Sequence, residues 1–313
     1  MRKLTIVMMG CFLLILSACS SHDVDLYTDN DPMVLPMQGE TLKILQLTDL
    51  HLTYGIDHHD RLTYQAIEDL ILSDDWDLVV FTGDMVMSPF ARPLLSHLVK
   101  RVERLGVHWT FILGNHDRDY HSAERLLNAI GPTEYLLFKG GPELDDGGVG
   151  NFKITVTRDG FPFYHLYFLD SKSETDHPDR TTKYDFLSEA QVRWYETLVA
   201  QDTLNNLVFI HTPLQQFEAV KDYLGTFGEP VHPQGIDTGF FDLAVSYGLT
   251  KGIFVGHDHD NDFAFTLDGI LLAYGRYSGH NAYGFLPIGG RAILIDSEGQ
   301  LNTHIITHDE VAP

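Results

Sequence analysis

Five short apolar runs in this 313-residue chain each end in side chains that can bind metal ions. The segments that follow the runs are Asp49-Leu50-His51, Gly83-Asp84, Gly114-Asn115-His116-Asp117, His211 and Gly256-His257-Asp258-His259. Imidazole and carboxylate groups together suit zinc, iron and manganese. Taken singly, Gly-Asp is a common turn and a lone histidine is more often a hydrogen-bonded core residue. All five segments in order, each after an apolar run, predict a metal site.

Strand-like and helix-like segments alternate around these side chains and must position them. The apolar runs cover residues 42–47, 78–81, 109–113, 207–210 and 252–255, and amphipathic stretches with helical spacing cover 61–72, 94–105, 123–130 and 188–200. The alternation predicts the α/β class. Residues 150–170 and 261–308 lack helical spacing and predict hairpins, so part of the sheet should be antiparallel or mixed. Because the carboxyl ends of strands in an open α/β sheet share one crevice, the five segments can meet there.

The motif set resembles the calcineurin-like metallophosphoesterase superfamily, whose signature is Asp-x-His, Gly-Asp, Gly-Asn-His-Asp/Glu, His and Gly-His-x-His. The resemblance covers residues 43–296. Three further segments, 168–171, 261–263 and 272–275, are similar to a branch of fungal and plant proteins called purple acid phosphatase-like. The resemblance implies a four-layer α/β/β/α sandwich with a mixed β-sandwich core.

The resemblance also implies two divalent metal ions, manganese, iron or zinc, with defined ligands. One ion would be bound by Asp49, His51, Asp84 and His259, and the other by Asp84, Asn115, His211 and His257. Asp84 would bridge the two ions. True purple acid phosphatases have a metal-binding tyrosine three residues after the Gly-Asp aspartate, and Met87 stands there in this chain. We therefore expect no tyrosinate–iron colour.

Such a metal pair predicts hydrolysis of a phosphate ester by a bridging hydroxide, because metal binding lowers the pKa of water toward about 7. His116 lies outside the implied ligand set, and we interpret it as the general acid that protonates the leaving group. Asp117 is interpreted as the carboxylate that holds the His116 ring, with a solvated turn residue as the alternative. Arg118 and Arg276 are weaker candidates for binding the substrate phosphate.

Phosphomonoester hydrolysis is the favoured function. Hydrolysis of phosphodiesters or nucleotide pyrophosphates on the same metal site is an alternative, and a catalytically silent surface binding protein is a third. The intact set, with Asn115 and His116 both present, argues against the third. The net charge of −23 disfavours nucleic acid as a bulk partner, so the expected partner is a small phosphorylated substrate.

The N-terminus predicts export. Arg2 and Lys3 precede an apolar stretch, 4–16, that is short for a membrane span. The stretch leads into Leu16-Ser17-Ala18-Cys19, which resembles a bacterial lipobox and predicts a signal peptide over 1–18 and lipid on Cys19. An ordinary signal peptide cut after Ala18 is the alternative. The chain should then lie in the cell envelope, with 19–40 as a flexible tether and 41–313 as the catalytic domain.

Overall fold

Twelve strands and six α-helices follow one another along residues 26–312, the part of the chain that this computed structural model describes. The strands are β1 (Met33–Pro36), β2 (Leu42–Leu47), β3 (Leu78–Thr82), β4 (Trp109–Ile112), β5 (Phe152–Arg158), β6 (Phe161–Phe168), β7 (Asn206–Phe209), β8 (Thr250–Val255), β9 (Ala264–Leu267), β10 (Ile270–Tyr274), β11 (Gly289–Ile295) and β12 (Leu301–Thr307). The helices are α1 (His58–Leu72), α2 (Ala91–Glu103), α3 (Ala123–Leu127), α4 (Glu189–Val199), α5 (Phe240–Tyr247) and α6 (His308–Val311).

The strands form two mixed sheets. One has seven strands in the order β1-β5-β6-β7-β8-β10-β9, and the other has five in the order β12-β11-β2-β3-β4. Strands β2, β3 and β4 run parallel, as do β6, β7 and β8, whereas β5–β6, β9–β10 and β11–β12 are antiparallel. The hairpins predicted within 150–170 and 261–308 are therefore confirmed.

Three apolar clusters hold four layers together. Side chains such as Ile44 and Phe209 fill the space between the two sheets. The outer face of the five-stranded sheet packs against α1, α2 and α3, and the outer face of the seven-stranded sheet packs against α4 and α5. The result is the α/β/β/α sandwich that the resemblance implied. Because both faces of each sheet are covered, the central strands are continuous apolar runs without alternation.

The strands that precede the site segments lie where the apolar runs predicted them, to within two residues. Helix α4 begins with a capping box formed by Ser188 and Gln191, in which each side chain bonds the backbone N–H of the other residue. Helix α5 was not predicted. It is flanked by Gly239 and Gly248, both with left-handed backbone, and contributes Phe240 to the core.

The tether predicted over 19–40 is wrong for the residues that the structure describes. Strand β1 pairs in parallel with β5 at the edge of the seven-stranded sheet, and Leu35 is fully buried. Asn30 accepts a 2.8 Å hydrogen bond from the Trp194 indole. The aspartate-rich composition hid a short edge strand that is held mainly by backbone pairing. Residues 1–25, including the predicted signal peptide and Cys19, lie outside the described range. Within 26–312, none of the helices combines the length and apolar character needed to cross a membrane.

Candidate metal centre

The five segments predicted from the sequence meet at one end of the two sheets. Asp49 and His51 follow β2, Asp84 follows β3 and Asn115 follows β4, all from the five-stranded sheet. The remaining histidines follow β7 and β8 of the seven-stranded sheet: His211, His257 and His259. The centre therefore lies at the carboxyl ends of parallel strands, and each sheet supplies part of it.

The side chains form two groups that can each hold a metal ion. Ligand atoms lie within 4.8 Å of one another in the groups Asp49–His51–His259 and Asp84–His211–His257. The Oδ2 atom of Asp84 lies between the groups, 3.6 Å from Nε2 of His51 and 3.3 Å from Nε2 of His211. The Asn115 Oδ1 atom is 3.1 Å from the same His211 nitrogen. All seven predicted ligands are thus brought together and are buried, with Asp84 where a bridging carboxylate would lie.

Hydrogen bonds at the rear of two imidazoles orient them toward the centre. The Nδ1–H group of His211 donates to the Thr82 carbonyl at 2.7 Å, and that of His259 donates to the Tyr283 carbonyl at 2.9 Å. With Nδ1–H held by a carbonyl, Nε2 of each ring faces the neighbouring carboxylates and is the atom that would bind a metal ion after losing its proton. This arrangement is typical of histidines that bind metals.

The two carboxylates are oriented in the same manner. Oδ2 of Asp49 accepts the backbone N–H of His257 at 3.0 Å and the Thr48 hydroxyl at 2.8 Å, while Oδ1 of Asp84 accepts the backbone N–H of His116 at 2.8 Å. Among residues 26–312, the buried Oδ1 of Asp49 has no hydrogen-bond partner, and neither has Nε2 of His51. Unpartnered buried polar atoms are costly, and these two are the atom types that bind cations. The residues present therefore fit a pair of divalent metal ions.

The buried carboxylates favour the protonated forms of His211 and His259, whereas burial and the neighbouring His211 lower the pKa of His257 to about 4. Burial acts to lower the pKa of His211, but the carboxylates of Asp84 and Asp49 outweigh burial and raise this pKa to about 10. Burial also opposes ionisation of Asp49, yet His259 and His51 hold its pKa well below the ordinary value. A metal ion would supply the positive charge that these protons supply in its absence, so metal binding should release protons.

The backbone at the centre is strained. Asp49, His51, Asp84 and His257 have φ angles of 54°, 46°, 51° and 83°. This left-handed region disfavours residues with a side chain by roughly 1–2 kcal/mol each. Such conformations persist only where the surrounding structure enforces them, and they cluster at functional sites.

Two glycines allow the strands to approach the ligands closely. A Cβ atom on Gly114 would lie 2.2 Å from Oδ1 of Asp84, and one on Gly256 would lie 2.1 Å from Oγ1 of Thr48. Neither distance is compatible with a side chain. The Gly-Asn-His-Asp and Gly-His-Asp-His segments therefore need their glycines for space.

The centre opens into a pocket of about 320 Å³. Tyr184 and Tyr283 form part of its wall, with ring centroids 4.3 Å from His257 and 4.0 Å from His259, respectively. Met87 and His232 also line it. The two tyrosines and His232 come from loops without a recognisable motif, so no sequence pattern pointed to them.

His116 lines this pocket, but its predicted partner is wrong. Its Nδ1 atom lies 2.9 Å from the Asp119 carboxylate. Asp117 is buried instead, and accepts the backbone N–H groups of Val86 at 2.9 Å and Gly114 at 2.8 Å. Burial and the nearby Asp84 charge raise the pKa of Asp117 to about 7. Residues 116–118 form a 3₁₀ turn, which places residues three apart on one face.

The two arginines predicted to bind phosphate are engaged elsewhere. Arg118 forms a two-pronged ion pair with Asp170, one arm measuring 2.9 Å. Arg276 pairs with Asp262 and donates to the Pro287 carbonyl at 2.7 Å. Neither residue lines the pocket at the metal centre, which contradicts the prediction. A sequence shows that an arginine is present but does not show which carboxylate it pairs with.

An α/β/β/α sandwich with carboxylate and imidazole groups at the strand ends is the architecture of metallophosphoesterase domains. The chain belongs to the calcineurin-like phosphoesterase family, whose model matches residues 42–261. It is 27% identical over 307 residues to probable inactive purple acid phosphatase 14 of Arabidopsis thaliana, a match that covers 82% of this chain and 75% of that protein. It is 28% identical to probable inactive purple acid phosphatase 28 of the same plant, with the same coverage.

Solved structures show the same fold. A dimetal phosphatase from Danio rerio matches 86% of this chain and 100% of its own length, with a TM-score of 0.55 and 15% sequence identity. At that identity the likeness concerns the fold alone. Together with the family match it confirms the fold class expected from the motif set.

Proposed function

We propose that the chain hydrolyses phosphomonoesters with two divalent metal ions. The observation that carries the proposal is that all seven predicted ligands are buried around two groups of side chains, with Asp84 lying between the groups and Asn115 beside His211. Asp49, His51 and His259 would hold one ion, and Asn115, His211 and His257 the other. When bound, the ions supply the Lewis acidity that activates water and neutralises phosphate charge.

His116 is the residue that we assign to proton transfer. The Asp119 carboxylate accepts from Nδ1 and fixes the ring at the rim of the pocket, so Nε2 is the atom left to donate to the leaving oxygen. The backbone N–H of His116 also donates to Asp84, which ties the acid to the position of the predicted bridging carboxylate.

The names of two similar plant proteins contain the word inactive, which makes catalysis by this chain a question to test. Three features support catalysis here. All seven predicted ligands are buried at the centre, His116 has a carboxylate partner, and four of the predicted ligands have left-handed backbone. A protein that had no use for metal ions would gain nothing from holding four such residues in the left-handed region.

The proposal is tested by loading the full chain with manganese, iron or zinc and measuring turnover of alkyl and aryl phosphomonoesters, diesters and nucleotides. We expect monoesters to be hydrolysed fastest. His211→Ala should abolish turnover and lower the metal content. His308→Ala is the matched control, because His308 pairs with Asp69 at 2.9 Å and does not line the pocket. A protein with both ions bound that hydrolyses none of these esters would overturn the proposal.

A further inference from the structure

As far as residues 26–312 form it, the pocket at the metal centre lacks the cationic side chains that usually bind phosphate. Among residues 26–312, no lysine or arginine lines it. Arg118 and Arg276 are held in internal ion pairs. A phosphate ester brings one or two negative charges into this space, and charge-assisted hydrogen bonds are the strong contacts for such groups. Apart from the predicted ligands and His116, the only histidine of the described chain that lines the pocket is His232.

His232 is held by a buried carboxylate. Its Nδ1 atom lies 2.7 Å from Oδ1 of Asp258, and its backbone N–H donates to Oδ2 of the same residue at 3.0 Å. The Tyr274 hydroxyl also donates to Oδ2, at 2.6 Å. Asp258 is almost fully buried, whereas the His232 side chain is 46% exposed. The carboxylate thus accepts from Nδ1 and leaves Nε2 of a fixed ring for contacts in the pocket.

The charges around His232 favour its protonated form. The hydrogen bond to Asp258 raises its pKa, and the charges of Asp258 and Glu229 act in the same direction. Asp258 lies between the predicted ligands His257 and His259 in the sequence. The fixed ring is therefore hydrogen-bonded to the loop after β8, which carries two of the predicted metal ligands.

A third metal ion is the other reading of this cluster, because ligand atoms of Glu229, His232 and Asp258 lie within 4.8 Å of one another. The acidic groups are already satisfied by the protein, however. Glu229 accepts the backbone N–H of Asp260 at 2.8 Å and the Tyr283 hydroxyl at 2.9 Å, and both oxygens of Asp258 have partners. We therefore interpret the cluster as a hydrogen-bond network that orients His232.

We infer that His232, positioned by Asp258, binds a terminal oxygen of the substrate phosphate and makes the site select phosphomonoesters over diesters. The inference rests on the proposed function. A monoester has one more terminal oxygen than a diester, and at neutral pH it carries more negative charge. A fixed imidazolium N–H therefore contributes more to binding a monoester. His232 is a substrate-binding residue in this assignment, and proton transfer stays with His116.

The test uses His232→Asn, whose amide can still donate to Asp258 but which lacks the atom that corresponds to Nε2. In the metal-loaded chain we expect roughly tenfold weaker binding of inorganic phosphate, measured by calorimetry, and a similar rise in KM for phenyl phosphate. The kinetics with bis(p-nitrophenyl) phosphate should change far less. His232→Gln places an amide near the Nε2 position and should recover part of the loss. His308→Asn alters a matched histidine–aspartate pair and should change none of these values.

Each outcome decides the inference. Unchanged phosphate binding by His232→Asn, with both metal ions retained, would overturn it whatever the activity. Equal losses for monoester and diester would overturn the selectivity, and loss of metal from His232→Asn would assign the residue to metal binding instead. If the wild-type chain binds phosphate through His232 but hydrolyses no ester, the proposed function fails and the phosphate contact stands.

Discussion

The Nδ1 atom of His116 lies 2.9 Å from Oδ2 of Asp119, on the same face of a 3₁₀ turn. Asp117, between them in sequence, points away and accepts two backbone N–H groups in the interior. Two neighbouring acidic residues thus have separate tasks, one at the rim of the pocket and one in the framework beneath it. The two tasks can be separated experimentally.

We expect the effect of His116→Ala to depend on the leaving group. An alkoxide needs a proton in the transition state, whereas nitrophenolate is stable as an anion. The substitution should slow alkyl monoesters by roughly 100-fold or more and spare nitrophenyl phosphate far more. Values of kcat/KM for both substrates provide the measurement. His257→Ala should instead damage both reactions alike and lower the metal content. Equal losses for His116→Ala with both metals retained would rule out the acid role.

Asp119→Asn should reproduce part of the His116→Ala effect. The amide holds the ring less firmly, so we expect a loss of roughly tenfold on alkyl monoesters and less on nitrophenyl phosphate. The measurement is the same pair of kcat/KM values, with thermal stability close to that of the wild type. A variant with unaltered rates on both substrates would show that His116 does not need this carboxylate.

Asp117→Ala should destabilise the fold without a dependence on leaving group. It removes the acceptor of the Val86 and Gly114 N–H groups and leaves both unpaired in the interior, at a cost of about 2 kcal/mol or more. Denaturant unfolding of the metal-free chain measures the free energy of unfolding. Asp119→Ala, at a half-exposed position, is the control. Equal stability of the two variants would contradict the assignment.

Arg118→Met should also affect stability and leave KM unchanged. The substitution removes the cationic partner of the Asp170 carboxylate, whose side chain is 1% exposed. Breaking a buried ion pair in this way lowers the free energy of unfolding by about 3 kcal/mol or more. Unfolding measurements and KM for a phosphomonoester should be compared in the same preparation. A large rise in KM without loss of stability would restore the arginine as a substrate contact.

Removal of the metal ions should abolish turnover and lower the thermal stability. A ligand that binds only the folded chain stabilises it by mass action, so stability should return on adding the metal back. Elemental analysis is expected to find about two ions per chain. Calorimetry in two buffers of different protonation enthalpy should show proton release on binding, because the neighbouring carboxylates raise the pKa of His211 to about 10 and favour its protonated form when no metal ion is bound. A chain that binds no metal would contradict the whole assignment.

Lipid on Cys19 and location in the cell envelope stay predictions from the sequence. Wild-type chain expressed in bacteria should fractionate with membranes, and Cys19→Ser should become soluble or remain unprocessed. Mass spectrometry of the N-terminal peptide identifies the lipid. Wild-type protein recovered in the soluble fraction without lipid would contradict the prediction.

The sequence was sufficient to predict which side chains meet at the centre, because each of them follows a buried strand. Apolar runs located β2, β3, β4, β7 and β8, and the rule that strand ends share one crevice brought Asp49 and His259 together across 210 residues. Strand β1 was not predicted, because it is held by backbone pairing, which does not depend on amino-acid composition. Only one of its four side chains is buried, so it has no apolar pattern.

The partners of individual side chains could not be predicted in the same way. Asp117 and Asp119 are equally plausible neighbours of His116 until the helical turn type is known. Arg118 and Arg276 find carboxylates 52 and 14 residues away, and no spacing rule covers such pairs. His232 lies in an irregular loop, so its approach to Asp258 depends on the tertiary fold alone.

The left-handed backbone at Asp49, His51, Asp84 and His257 has an evolutionary consequence. Glycine would adopt these angles without strain, so replacing a ligand such as His51 by glycine should release strain in the metal-free fold even as it removes a ligand. In a lineage that no longer needed the centre, substitutions by glycine at these positions would therefore relieve backbone strain. In this chain all four positions carry a side chain of a type that can bind a metal ion, although glycine would fold there with less strain.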